Sequence, residues 1–180
     1  MIRKAEKSGL TYEKEFTPET LKFLEKTHQI NMKAVKGTAK PKAFFEKLAE
    51  VFEYKKDFEL YVARYKGEPV AALLLFYYND IVEYFTPVVV EEYRSLQPLS
   101  LLIFHAMCDS AKSGSRWWNW GGTWHSQDGV YRFKKRWGTE DKPYYYHITV
   151  NDPQILNCSK EELLSSFQYF YVAPFTALQK

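Results

Sequence analysis

Three predicted strands that follow one another almost without a break constrain the fold of this chain more than any other feature. They cover residues 58–65, 70–78 and 81–90, with turns at Lys66-Gly67-Glu68 and at Asn79-Asp80. Connections this short join antiparallel neighbours. The middle strand is apolar on both faces, which predicts that it lies in the centre of the sheet and is covered on both sides.

The segment before these strands predicts one further strand and three helices. Residues 3–8, followed by Gly9, are typical of a helix that ends at glycine, and residues 10–16 alternate weakly as a strand does. Thr17-Pro18-Glu19 combines a cap, a first-position proline and an acidic first turn, and the helix that it opens is predicted to run to about Met32. The next helix has four apolar residues on one face, which are Phe45, Leu48, Ala49 and Phe52.

The segment after them alternates helices and strands. A helix from Leu99 to about Gly114 precedes a tryptophan-rich strand, and a basic helix at residues 129–137 precedes a predicted strand at residues 144–150. Residues 159–162 form a capping box that opens a last helix. The fold class is therefore α/β (α+β), a mixed sheet with an antiparallel meander followed by a helix-linked parallel strand pair, with helices on both faces and a right-handed crossover.

Composition narrows the classes of protein and the compartment. The chain has 180 residues, of which 46% are hydrophobic and 18% aromatic, so we expect a folded domain with a substantial core. A formal charge of +3 requires any contact with a polyanion to be local. The charged N-terminus lacks the apolar core of a signal peptide, and the longest apolar run, residues 70–78, cannot span a bilayer. We therefore expect a cytoplasmic protein in which Cys108 and Cys158 are free thiols.

Residues 116–137 contain all five tryptophans, a Gly-Gly pair and a cluster of basic side chains. Such a combination of aromatic area, backbone freedom and charge suits a site for a planar or phosphorylated ligand. In the basic helix, Val130, Phe133 and Trp137 share one face, and Lys134 falls on that same face. Lys134 is either held inward for a purpose or extends its charge to water from the edge of an ordinary amphipathic helix.

The loop before that helix holds weaker candidates. Gly121 and Gly122 would let another backbone approach closely, or they form a plain bulge or turn. Trp124 and His125 lie in a loop that leads to a helix start, where free N–H groups favour anions. The four histidines lack metal-ligand spacing and no cysteine pair accompanies them, so a metal site is not expected.

Two further segments carry polar candidates. Glu83 and Tyr84 lie on the third strand of the meander, where either could move a proton if it faces a cleft. The alternative for Glu83 is an outward polar residue on a half-exposed strand. Arg94 precedes the Leu99 helix and could meet a phosphate, although an exposed loop arginine is the alternative.

Several segments resemble the GCN5-related N-acetyltransferase (GNAT) superfamily, and more specifically the FemAB group within it. Residues 3–9 are similar to the linker helix of that group, residues 67–72 to its hairpin, and residues 99–114 to its helix before an aromatic strand. Gly121-Gly122 and residues 129–138 resemble its glycine-containing strand end and its Phe-Lys signature. FemAB proteins add amino acids to peptidoglycan precursors from aminoacyl-tRNA. The resemblance spans about residues 1–150.

What the resemblance implies is direct transfer of an acyl or aminoacyl group onto an amine, on a small molecule or peptide, without a covalent enzyme intermediate. Lys134 would stabilise the carbonyl oxygen or a donor phosphate, with Glu83 or Tyr84 deprotonating the amine. The substrate would be bound by Phe133, Trp124, Gly121, Gly122, Tyr131, His125 and Arg94. No tightly bound cofactor is expected. The rival interpretation is a non-catalytic binding module, a degenerate half of a two-domain transferase.

Two departures from the family pattern bear on donor and partners. The acyl-CoA type has a glycine-rich pyrophosphate loop where this chain has residues 92–99 without glycine, which favours aminoacyl-tRNA or an unusual acyl donor over acyl-CoA and leaves both open. FemAB proteins have two such domains, and this chain resembles the second, so a missing N-terminal domain or a homodimer would complete the pocket. We expect residues 1–150 to form one domain, with 1–9 as linker helix and 151–180 as a helical tail packed on it.

Overall fold

A five-stranded mixed sheet, in the order β1-β2-β3-β4-β5, organises the computed structural model, which describes residues 1–123, 127–143, 145 and 147–166. Strands β1 to β4 are antiparallel, whereas β4 and β5 are parallel. The mixed α/β class, the antiparallel meander and the helix-linked parallel pair are therefore confirmed. The strands are β1 (Leu10–Lys14), β2 (Phe58–Tyr65), β3 (Glu68–Tyr78), β4 (Ile81–Val89) and β5 (Trp117–Asn119).

The helices connect and cover these strands. The α-helices are α1 (Ile2–Lys7), α2 (Pro18–Ala34), α3 (Lys42–Glu46), α4 (Leu48–Val51), α5 (Pro98–Lys112), α6 (Asp128–Lys135) and α7 (Lys160–Ser166). Short 3₁₀ helices cover Glu91–Leu96 and Pro153–Asn157. The chain divides into two compact units, Met1–Tyr131 and Arg132–Lys180, and the whole sheet belongs to the first.

The central strand β3 is buried over most of its length, as its apolar sequence predicts, because helices pack on both faces of the sheet. On one face, side chains of α2 to α4 and of the central strands form a single cluster: Leu24, Phe45, Leu48, Phe58, Leu60, Val62, Ala72, Leu74 and Val88. On β2, Tyr61 alternates with Leu60 and Val62 and reaches Asp109 of α5 instead. Helix α5 therefore covers the opposite face.

Local sequence signals fix where the main helices begin. The Thr17 hydroxyl accepts a hydrogen bond from the backbone N–H of Thr20 at 3.2 Å, the Thr20 hydroxyl accepts one from the backbone N–H of Thr17 at 2.9 Å, and Pro18 occupies the first turn of α2. Ser159 and Glu162 form the predicted capping box at the start of α7. Both predicted starts are confirmed.

Two predicted elements differ from the structure. The expected helix through Phe45 and Phe52 is divided at Lys47 into α3 and α4. Phe52 lies beyond α4 in an extended conformation, and its ring packs on that of Phe76 at 4.9 Å. The predicted strand at residues 144–150 is not formed by the described residues of that range. A strand with period-2 alternation needs one buried face, whereas Tyr145 and Ile148 are 77% and 43% exposed.

Within the described residues, no helix has both the length and the apolar character needed to cross a membrane.

Candidate active site

The parallel strands β4 and β5 pair only at the beginning of β4. The paired residues are Ile81 with Trp117, Val82 with Trp118 and Glu83 with Asn119, after which β5 ends and β4 continues to Val89. Residues 84–89, named here the free half of β4, thus have no partner strand on the β5 side among the described residues. A strand edge of this kind presents backbone N–H and C=O groups to a ligand.

The sequence of the free half suits this open edge. Pro87 lacks a backbone N–H, and proline within sheets is confined to edges and bulges. The register between β3 and β4 shifts at Leu74/Leu75, so that Thr86 faces Leu74 while Tyr84 faces Leu75, and Phe85 is the extra residue of a bulge. The bulge redirects side chains at the point where β5 ends.

Three aromatic rings cluster where the two strands separate. The ring of Tyr84 lies 5.0 Å from Trp120 and 6.3 Å from Trp118, and the two indoles are 5.8 Å apart. Burial raises the pKa of the Tyr84 phenol above its ordinary value, so this side chain stays protonated and can donate a hydrogen bond. The indole N–H of Trp118 and the hydroxyl of Thr86 are buried without a hydrogen-bond partner in the described part of the chain.

Glu83 and Gly121, which the sequence singled out separately, lie together. A Cβ added to Gly121 would lie 3.6 Å from Glu83 Oε1, and Gly121 has a φ of +66°, a conformation that favours glycine. The Gly121 N–H donates to Asn119 Oδ1 at 3.0 Å. The tight turn after β5 thus places backbone beside the Glu83 carboxylate, which is half-buried.

Beyond the free half of β4, the chain enters the 3₁₀ helix Glu91–Leu96 and then α5. Gln97, which joins the two helices, has a φ of +66° and so occupies a left-handed position that favours glycine. Arg94 is exposed and its guanidinium pairs with Glu91 at 2.8 Å. The Glu91 carboxylate thus neutralises the charge of Arg94 at the protein surface.

Helix α6 carries the remaining predicted residues. Val130 and Tyr131 are each 43% exposed, so the predicted apolar face is only partly covered. Within the second unit, Lys134 and Phe133 are half-buried, and the Phe133 ring lies 6.4 Å from that of Trp137. Trp124 and His125 lie outside the described residues, and Gly122 is exposed.

Helix α2 supplies a set of polar contacts that the sequence patterns did not reveal. The Asn31 amide donates to the Val89 carbonyl and accepts from the Val89 N–H, both at 2.9 Å, and so occupies the end of the free half of β4 as a neighbouring strand would. His28 Nε2 accepts from the Lys40 N–H at 3.0 Å, and Gln29 donates to the Lys40 carbonyl at 2.9 Å. Helix α2 therefore holds both β4 and the loop that carries Lys40.

The face of the sheet covered by α5 holds a second polar group, named here the Lys14 cluster. Lys14 Nζ lies 3.1 Å from Glu59 Oε1 and 3.6 Å from Asp109 Oδ2. The Tyr61 hydroxyl lies 3.2 Å from a carboxylate oxygen of each acid, and the Tyr77 hydroxyl donates to Glu59 at 2.9 Å. Burial and the neighbouring acids raise the pKa of both phenols, so the tyrosines stay neutral.

No metal centre can be built from these side chains. Among the described residues, no group of three or more His, Cys, Asp or Glu is placed to hold an ion.

Comparison with known families and structures adds an independent finding. The family model described as "Acetyltransferase (GNAT) domain" matches residues 1–135. A sequence comparison with curated proteins finds no match.

Among solved structures, FemX is similar with a TM-score of 0.67 and 17% identity over 77% of this chain and 52% of the FemX chain. An aminoglycoside acetyltransferase from an uncultured soil metagenomic sample, in complex with sisomicin, has a TM-score of 0.59 and 14% identity over 81% of this chain and 99% of its own. A putative acetyl transferase from Pyrococcus furiosus has a TM-score of 0.60 and 12% identity over 78% and 99%. The chain thus spans about half the length of FemX, and these likenesses show the fold.

Proposed function

Because the chain belongs to the acetyltransferase (GNAT) domain family, and is thus an acyltransferase domain, we propose that it transfers an acyl group from acyl-CoA to a primary amine. The observation that carries this proposal is the free half of β4, which begins at Tyr84, directly after Glu83. It offers an extended donor a backbone edge that ends at a carboxylate able to accept a proton and at a phenol able to donate a hydrogen bond.

The donor would lie along this edge. An acyl-CoA carries its thioester on a flexible arm with amide groups, and an extended amide chain can add to a free strand edge through backbone hydrogen bonds. The Asn31 amide already occupies the backbone groups of Val89, so the donor would lie between that end and Glu83. The thioester would then reach the position where β4 and β5 separate.

The chemistry needs a proton acceptor for the amine and a hydrogen-bond donor for the leaving group. The amine nitrogen attacks the thioester carbonyl carbon, the C–S bond breaks, and the Glu83 carboxylate takes the proton that the amine loses and returns it to solvent. The leaving thiolate takes its proton from solvent, and Tyr84, which burial keeps protonated by raising its pKa, donates a hydrogen bond to it. No covalent enzyme intermediate is needed.

The other predicted residues keep the roles that the sequence gave them. Lys134, which belongs to the second compact unit, stays a prediction from the sequence as the residue that stabilises the carbonyl oxygen or holds a donor phosphate. Gly121 would allow the substrate backbone to lie close to Glu83, as the short distance from its Cβ position to that carboxylate supports. Phe133, also in the second unit, and Trp124, outside the described residues, stay predictions as substrate-binding residues.

A second donor, aminoacyl-tRNA, is favoured by Gln97. This left-handed residue stands in the segment where the acyl-CoA type has glycines, so a side chain occupies a position that glycine would leave open to a pyrophosphate. With such a donor, a second domain or a second copy of the chain would complete the site.

The test is a donor and acceptor screen that follows the released product. Incubation with acetyl-CoA and a panel of primary amines should release free thiol at a rate that depends on the amine, and Glu83→Gln should abolish most of it. Thiol release that does not depend on any amine would contradict the proposal. Transfer from charged minihelix tRNA with none from acetyl-CoA would select the second donor, and binding of either donor without transfer would select the non-catalytic module.

A further inference from the structure

Two side chains of α2 fix the backbone of Lys40, a residue of the loop between α2 and α3. Its backbone N–H donates to His28 Nε2 at 3.0 Å, and its carbonyl accepts from Gln29 Nε2 at 2.9 Å. Both partners come from consecutive positions of α2. The two contacts fix the backbone of Lys40 although it lies in the loop between α2 and α3, and so fix the root of its side chain.

The ammonium group of Lys40 lies on the face of an aromatic ring. Its Nζ is 4.5 Å from the centre of the Phe85 ring, a distance typical of a cation–π contact. Within the part of the chain that the structure describes, Lys40 makes no ion pair, and burial lowers its pKa. The side chain is half-buried, so a ligand can still reach the charge.

Phe85 connects this charge to the candidate active site. It is the bulge residue of β4 and follows Glu83 by two positions. The Phe85 ring packs on Phe76 at 4.9 Å, and Phe76 is the β3 partner of Glu83, so Glu83 and Phe85 lie on the same face of the sheet. The Lys40 ammonium therefore lies on the same face of the sheet as the residue proposed to accept the proton of the amine, on the ring of the residue two positions further along β4.

From this juxtaposition we propose that Lys40 is a specificity-determining residue that binds an anionic group, a carboxylate or a phosphate, on the amine acceptor. The inference rests on the proposed function, because it places the amine at Glu83. The position of the Lys40 ammonium is fixed before a ligand binds, and no carboxylate in the described part of the chain neutralises it. An anionic group on a ligand would therefore bind to it with little loss of conformational entropy. The acceptors that fit are amino acids, peptides with a free carboxylate near the amine, and phosphorylated amines, whereas uncharged amines and polyamines fit poorly.

The experiment measures binding first, so that it does not depend on turnover. Calorimetry compares two matched pairs of acceptors, L-alanyl-L-alanine against its amide and phosphoethanolamine against ethanolamine. The parent should bind the anionic member of at least one pair about tenfold more tightly than its neutral partner. The pair that shows the preference identifies the anion as carboxylate or phosphate.

Three variants locate the preference. Lys40→Met keeps the aliphatic stem on Phe85 and should reduce the ratio to about one, whereas Lys40→Arg should keep most of it. Lys42→Met is the matched control, because Lys42 is an exposed neighbour already paired with Glu46 at 2.8 Å, and it should leave the ratio unchanged. Unchanged melting temperatures show that the variants fold.

Each alternative result overturns the inference. A parent with no preference in either pair, or no measurable binding of any of the four amines, would contradict it, as would a preference that survives in Lys40→Met. Turnover with acetyl-CoA, measured on the same four amines, reports on the proposed function separately. Equal kcat/KM for anionic and neutral amines would contradict the role of Lys40 but would still support acyl transfer.

Discussion

Lys14 and Lys40 lie on opposite faces of the same sheet and differ in how the chain treats their charge. Lys14 is surrounded by Glu59 and Asp109, and although burial alone would lower its pKa, the hydrogen bonds and charges of these acids raise it. Lys40 stands on an aromatic ring, and burial lowers its pKa. The first charge is neutralised within the fold, whereas the second is left for a ligand.

This difference between the two lysines indicates which face of the sheet binds substrate. Lys14 pairs with acids from within the fold, Glu59 of β2 and Asp109 of α5, and so connects β1 to both elements. On the other face, the contacts from α2 hold backbone groups in place, at Lys40 and Val89, and leave side chains free to act. Variants of the Lys14 cluster should therefore change stability, and variants of the α2 face should change transfer.

The largest expected effect is on the rate of transfer. Glu83→Gln should lower kcat by about 10³-fold, since the amide cannot take the proton of the amine. The free energy of unfolding should change little, because the amide keeps the size of the side chain. Steady-state kinetics and denaturant unfolding measure the two quantities, and a drop in stability large enough to unfold the variant would contradict the separation of roles.

The converse variant, Glu59→Ala, should leave transfer near the parent level and lower the free energy of unfolding by about 3 kcal/mol. It removes the shared acceptor of Tyr61, Tyr77 and Lys14, of which Tyr61 is fully buried. Glu53→Ala serves as its control, because Glu53 pairs with Lys56 on the exposed surface and should cost less than about 0.5 kcal/mol. Equal destabilisation by both would show that the Lys14 cluster is no more than a surface feature.

The contribution of His28, which accepts a hydrogen bond from the Lys40 N–H, to the free energy of unfolding should depend on pH. Burial, followed by the nearby charge of Lys40, lowers the pKa of His28 to about 4 from 6.5. The unfolded chain then binds more protons than the folded chain between these values, so the contribution is complete above pH 6.5 and is lost as the pH falls towards 4. Relative to His28→Gln, the parent should lose about 3 kcal/mol of unfolding free energy between pH 7 and pH 4.

Urea unfolding of the parent and of His28→Gln at several pH values measures this difference. The glutamine carbonyl can still accept the Lys40 N–H, so the comparison isolates the titration of His28. Parallel stability curves for the two proteins would mean that His28 is not neutral for the reason given.

The smallest effect is expected at Lys14 itself. Because its side chain is partly exposed, screening by water reduces the value of its ion pairs, and Lys14→Met should lower the free energy of unfolding by less than about 1 kcal/mol. Acceptor binding should be unchanged, in contrast with Lys40→Met. A change in acceptor preference in Lys14→Met would erase the distinction between the two lysines.

The sequence predicted what depends on local patterns. The short turns predicted the antiparallel meander, and Thr17-Pro18-Glu19 predicted the start of α2. The strand predicted to be central because it is apolar on both faces is β3, in the middle of the sheet. Glu83, Tyr84 and Gly121 were candidates before the structure placed Gly121 beside the Glu83 carboxylate and the Tyr84 ring beside Trp118 and Trp120, where the β4–β5 pairing ends.

Other features depend on contacts that no local pattern records. The strand predicted at residues 144–150 is not formed by the described residues of that range, where Tyr145 and Ile148 are exposed. No local pattern distinguishes Lys40 from Lys36 in the same loop between α2 and α3, because its partners His28, Gln29 and Phe85 lie in other elements. The bidentate contact between Asn31 and Val89 spans most of the first half of the chain, and an asparagine within a helix gives no signal for it.

The measurement that tests the account most directly is a titration of the ¹⁵N-labelled protein with acetyl-CoA, followed by amide NMR. We expect saturable shifts at the amides of Phe85, Thr86 and Val88, in the free half of β4, with the amides of Glu59, Tyr61 and Asp109 unmoved. No saturable shift, or shifts concentrated on the Lys14 cluster, would contradict donor binding along β4.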